Sequence, residues 1–191
     1  MVKLTSTKFG SEFDSAPLEQ KRMMVLFDAL DAVISKITMS YPGTYISRIY
    51  DSQRIKDNPA QICRACAIGS IFLSYCRFEN ENGFTYYKAA FTLLTRAFVC
   101  SQGSPDPLPK LFREMFSEDQ LFLIEECFED FTSPLGRRVS LVYRKKSLEK
   151  HRWAIYWYRQ NFPEPTDRFL VILYNMIAND GVFVPHKDFN D

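Results

Sequence analysis

The sequence predicts a mainly α-helical single domain of about six or seven helices, on the strength of three observations. Apolar residues recur at spacings of three and four along most of the chain. Prolines and glycines gather between those stretches, and helix-start residues stand where the stretches begin. The composition agrees: of 191 residues, 46% are hydrophobic and 15% aromatic, enough large apolar side chains to close one dense core.

Residues 1–14 are polar and weakly periodic and read as a flexible N-terminal arm, so the single helical domain is expected over 15–191. Ser15, followed by Pro17, reads as the cap and first turn of a helix. From Leu18 to Ile37 the stripe Met23, Leu26, Phe27, Leu30, Val33, Ile34 and Ile37 has the helical period. Tyr41-Pro42-Gly43 breaks it. Asn58 before Pro59 predicts the next helix start, with the helix running to about Phe78 and CRACAIGSIFLSYC inside it. After a turn at Asn80–Gly83, a helix from Thr85 to about Cys100 carries Phe91, Leu94 and Phe98 on one side.

SQGSPDPLP reads as a loop and residues 108–116 as a short helix. Ser117, Glu118, Asp119 and Gln120 then form the S-x-x-Q of a capping box, and Leu121, Ile124 and Phe128 give the helix behind it a buried face. RVSLVY alternates polar and apolar residues, and GVFV at 181–184 is its candidate partner in a small two-stranded element. Ser147 opens a helix through about Phe162. Thr166 caps a last one, DRFLVILYNMIAND, whose apolar middle predicts burial on most sides and whose end is Asn179-Asp180-Gly181.

The formal net charge is +1, from 24 basic and 23 acidic residues, which excludes a protein driven onto nucleic acid or an anionic membrane by its overall field. No stretch approaches the roughly 20 apolar residues that span a bilayer, and MVKLTSTKFGSEFDS lacks the apolar run of a secretory leader, so the expectation is a cytoplasmic protein with no membrane partner. Cys63, Cys66, Cys76, Cys100 and Cys127 are odd in number and widely spread, which reads as reduced thiols.

The Cys63–Cys66 pair has the CxxC spacing. A structural zinc site needs four thiolate or imidazole ligands, and no second pair follows, while His151 and His186 stand alone; no metal is expected. A redox CxxC sits where a strand turns into a helix, exposed at the helix N-terminus. Within an apolar helix these cysteines read instead as small buried hydrophobes, with a thiol-dependent enzyme as an alternative. The chain has no Walker A loop, no G-x-S-x-G elbow, no H-E-x-x-H and no dinucleotide fingerprint, so neither a catalytic residue nor a cofactor is assigned and a non-enzyme is favoured.

Charge is laid out in blocks. Glu118, Asp119, Glu125, Glu126, Glu129 and Asp130 occupy one stretch without a base; its plainest reading is a solvated helix face, and its functional reading an acidic partner-binding surface. Arg137, Arg138, Arg144, Lys145, Lys146, Lys150 and Arg152 follow with Glu149 as their only acid, and Trp153, Tyr156 and Trp157 come next on one helical face. Arg144, Lys145, Lys146, Arg152 and Trp157 are the candidate anion site of a nucleic-acid or nucleotide binder using segment 137–162, since bases stack on aromatics and phosphates pair with cations. The plainer reading packs the aromatics in the core and lets the basic run neutralise the acidic helix. The surplus of aromatics also suits a homodimer interface.

CRACAIGSIFLSY, SEDQLFLIEECFE and PTDRFLVILYNMIANDGVFVP, in that order and spacing, resemble a family of small bacteriophage and prophage proteins with a C-x-x-CA[IL]G helix, a QLxLIExxFE helix and an RLxxIxxNIIxNxGxFxP ending. The resemblance covers roughly residues 58 to 185. It carries no catalytic residues, and implies a phage accessory protein that binds and blocks a host protein or nucleoprotein, such as a component of a defence system.

Overall fold

The computed structural model describes residues 7–36, 38–42, 46–48, 63–78, 110–129 and 151–185. Its first element corrects the expected loose arm. Helix α1, Thr7–Ser15, is already formed there, and Phe13 is fully buried, stacked on Phe78 at 4.9 Å between ring centroids and edge-on to Tyr75 at 6.4 Å. Two phenylalanines in this polar stretch, Phe9 and Phe13, are too short a run to mark a helix by period, yet burial of the Phe13 ring docks the turn around it. Ser15 is the last residue of α1 and not the cap of α2; its hydroxyl donates back to the carbonyls of Ser11 and Glu12.

Helix α2 spans Leu18–Ile34 with Pro17 at its N-cap position. Its buried face is Val25, Leu26, Ala29, Ala32 and Val33, so two members of the expected stripe, Phe27 and Ile34, point outward instead. The helix stops three residues short of Ile37: Ser35 is the C-cap, and Lys36 turns left-handed at φ 56°.

Strands β1 (Thr38–Ser40), β2 (Ile46–Arg48) and β3 (Cys63–Ala65) form a small sheet in the order β1-β3-β2. β3 runs parallel to β1, with Thr38 opposite Cys63, and antiparallel to β2, with Arg48 opposite Cys63. The fold is therefore mainly helical with a three-stranded element, and that element does not use the expected pair. GVFV makes no ladder, and RVSLVY lies outside the described residues. Cys63–Ala65 being a strand also moves the helix start: α3 is Ala67–Phe78, so the helix expected from Asn58 is present in its second half, while Cys63–Ala65 is extended. The Thr85–Cys100 helix and Ser147 fall outside the described residues.

The remaining helices are α4 (Lys110–Met115), α5 (Glu118–Phe128), α6 (Arg152–Asn161) and α7 (Pro165–Ala178). α7 starts at Pro165, whose missing N–H costs nothing in the first turn, and Thr166 makes no cap. α2 packs against both α3 and α7, α5 against α3, α6 and α7, and α4 against α2. Arg77 at the end of α3 donates to Asp28 of α2 at 3.0 Å. The core runs through Leu26, Ile68, Ile71, Phe112, Phe116, Ile124, Phe128, Phe169 and Ile172, with Phe112 edge-on to both Phe72 and Tyr75 at 5.3 Å. No described helix is long and apolar enough to cross a membrane.

Phe13 gives the direct check on α1. Phe13→Ala is expected to cost about 3–5 kcal/mol in urea unfolding, the usual range for emptying a buried phenylalanine site; a residue of a loose arm would cost almost nothing.

Candidate functional site

Ser117 starts α5 as the capping box predicts, its Oγ accepting the Gln120 N–H at 3.3 Å, and Glu118 and Asp119 lie exposed in the first turn, where carboxylates favour the helix dipole. The box is only half made. The Gln120 side chain does not return to the cap but crosses to the chain end: its Nε2 donates to the Phe183 carbonyl at 3.2 Å and its Oε1 accepts the Phe183 N–H at 2.7 Å.

Beyond the first turn α5 has no solvent face. Glu125, Glu126 and Glu129 are 2%, 5% and 3% exposed, because α3, α6 and α7 pack around the helix. The acidic partner-binding surface expected from the sequence is thus corrected: only Glu118 and Asp119 of that set face water, and Asp130 lies outside the described residues.

Buried carboxylates need compensation. Arg159 of α6 supplies part of it, donating through Nη2 to the Glu126 backbone carbonyl, with the same nitrogen 3.7 Å from Glu126 Oε2. That is long for a charge-assisted hydrogen bond, so burial outweighs the attraction of Arg159 and holds the Glu126 carboxyl above its ordinary range. Arg168 of α7 is 1% exposed and holds three backbone carbonyls: Phe162 through Nε at 2.8 Å, Pro163 through Nη2 at 2.9 Å, and Phe128 through Nη1. Phe128 is the last residue of α5 and Phe162 the C-cap of α6. Carbonyls at helix ends have no intrahelical donors, and one guanidinium serves two such ends, where the dipoles also favour a cation.

Cys66 lies between β3 and α3, a strand-to-helix junction of the kind that can expose a reactive thiolate. Its Sγ accepts the Gly69 N–H at 3.4 Å, which favours the thiolate. The opposing effects win. Burial, then the charges of Glu129 and Glu125, push the thiol well above its ordinary value. Burial likewise pushes up Cys127, and both cysteines are neutral thiols among the described residues. The side chains of Cys63 and Cys76 and the whole of Cys100 lie outside the described residues, as do Arg144, Lys145, Lys146 and His186. His151 is half-buried at the N-cap position of α6. No group of three His, Cys, Asp or Glu among the described residues is placed to hold a metal.

On α6 the expected aromatic face divides. Trp157 is half-buried, edge-on to Tyr158 at 5.1 Å and to Phe162 at 5.5 Å, so it belongs to the packing. Arg152, Trp153 and Tyr156 are exposed on the opposite side from Ala154, Ile155 and Tyr158. On α2, Phe27 at 53% and Ile34 at 57% are the most exposed apolar side chains, with Met39 on β1 and Tyr41 just beyond it also exposed.

No protein-family model, curated protein or solved structure matches the chain. Neither the role of Arg168 nor the crossing of the Gln120 side chain from its cap to Phe183 is among the sequence expectations. The signals were present: a lone base inside the apolar run DRFLVILYN, and a cap glutamine whose side chain had two possible destinations.

The Glu126 carboxyl, raised in the folded state, binds a proton there more readily than in the unfolded chain. Its ionised form therefore costs stability above its folded pKa, and that cost is relieved as pH falls through it. Glu126→Gln is expected to equal or exceed the wild type in urea unfolding at neutral pH, and its advantage to shrink on acidification. An advantage that grows on acidification would show that the Arg159 attraction dominates.

Proposed function

We propose that the protein is a non-enzymatic interaction protein of the phage accessory kind, which binds and inhibits a host factor, such as a component of a defence system, in the host cytoplasm. The observation that carries the reading is the second apolar side of α2. Phe27 and Ile34 sit two helical turns apart, outward from the face that fills the core, and β1, which packs on α2, adds exposed Met39. Large apolar side chains held outward on a rigid helix lose little entropy on binding and supply the anchors on which protein interfaces depend. The host context rests on the family resemblance.

The acidic side chains do not support an acidic partner-binding surface, since Glu125, Glu126 and Glu129 are interior. A thiol-dependent reaction draws no support from Cys66, whose surroundings hold it protonated. A second reading, a nucleic-acid or nucleotide binder, is favoured by exposed Arg152, Trp153 and Tyr156 on α6. Stacking on two exposed rings beside a cation suits a base and its phosphate.

The test is capture from host lysate, with and without nuclease, by the wild type and by a Phe27→Asp/Ile34→Asp variant. A host protein retained after nuclease by the wild type and weakened about tenfold or more in the variant, whose melting temperature stays unchanged, is the expected outcome. Retention unchanged by the two substitutions would overturn the reading. Nuclease-sensitive capture that falls steeply with salt would favour α6.

A further inference from the structure

Residues 182–185 leave α7 as an extended strap whose attachment is unusual. The Phe183 N–H and C=O are both taken by the Gln120 amide of α5, and the Val184 N–H and C=O by the Asn175 amide of α7, at 2.9 and 2.8 Å. Two side-chain amides thus do for consecutive residues what a neighbouring strand would do. Between them the Phe183 ring is buried, 5.4 Å from the Tyr158 ring of α6 between centroids, and Pro185 is buried as well. The groove reads an extended backbone, a phenyl ring and a proline.

The hinge that delivers the strap obeys a separate requirement. Gly181 N–H donates to the Met176 carbonyl at 2.7 Å in the left-handed helix ending, with Asp180 at φ 52° and Gly181 at φ 83°. A Cβ on Gly181 would come within 2.2 Å of Arg22 Cδ and 2.7 Å of its Cγ. At position 181 the left-handed φ and the arginine stem beside it together select glycine, while none of the groove contacts involves Asp180 or Gly181.

We infer that the groove formed by Gln120, Tyr158 and Asn175 accepts residues 182–185 from a second copy of this chain, giving a reciprocal strap-exchanged dimer. Exchange reproduces every groove contact, since both straps have one sequence, and it frees Asp180 and Gly181 from the left-handed turn. In the wild type, closure within one chain dominates because the tethered strap is at high effective concentration. The hinge sets the balance, and the groove sets whether the strap binds at all.

The hinge and the groove are tested separately in the full-length chain by light scattering across a range of protein concentrations, with hydrogen exchange at the Phe183 and Val184 amides. Gly181→Ala, and independently Asp180→Pro, which forbids a positive φ while keeping the carbonyl that accepts from Arg22 Nη1, are expected to dimerise about tenfold or more tightly than the wild type while both amides stay protected. Adding Phe183→Ala to either is expected to return the monomer. Hinge variants that stay monomeric, with the strap protected or free, would overturn the inference, as would a dimer that survives Phe183→Ala. Should both hinge variants fail to fold, the wild type at its highest concentration decides: a dimer fraction abolished by Phe183→Ala supports exchange, and its absence or persistence rejects it.

Discussion

The guanidinium of Arg168 is the contact on which the second half of the structure depends. It sits in the interior, one residue before the fully buried Phe169, and hands its hydrogens to the ends of two other helices. Without such a donor the Phe128 and Phe162 carbonyls would be buried with no helical partner, a cost of about 1–3 kcal/mol each. With it, α5, α6 and the turn into α7 meet at one point, and the FPEP segment is fixed through the Phe162 and Pro163 carbonyls as well as by the Phe162 ring packed on Trp157.

Arg159 repeats the device one layer away, on the Glu126 carbonyl. Between the two arginines, α5 is an interior element that keeps its carboxylates. The balance of charge in this chain is then partly a property of its core: Glu126 on α5 faces Arg159 on α6, and burial holds the thiols of Cys66 and Cys127 neutral. Charge buried in this way adds little net stability compared with an apolar core of the same shape. It does fix how three helices register.

Much of the fold was legible in the sequence, for reasons that particular residues make plain. Ser117 caps α5, Lys110–Met115 is helical, and Asn179-Asp180-Gly181 ends the last helix, because capping and termination are local chemistry. Burial was read less well. Glu125, Glu126 and Glu129 read as solvated because a single sequence shows the charge on a helix and not the helices that pack around it. Phe13 and Phe183 lie in short polar or irregular stretches where too few apolar side chains stand together to set a period. The CxxC segment was drawn as helix because strand β3 is three residues long, and its partners at Thr38–Ser40 and Ile46–Arg48 lie far away in the chain. For the candidate surfaces the same limit applied in reverse: Phe27 and Ile34 matched the helical period and were read as core, whereas α2 carries apolar residues on two sides.

The central claim is that α5 is an interior helix whose last three acids are structural, and carboxyl footprinting tests it most directly. The folded protein would be treated with a water-soluble carbodiimide and an amine, and labelling of each acid read by peptide mass spectrometry. Glu118 and Asp119 should label at the rate of exposed acids, while Glu125, Glu126 and Glu129 should label only as the protein unfolds. Equal labelling along the helix would contradict the account and restore an acidic solvent face.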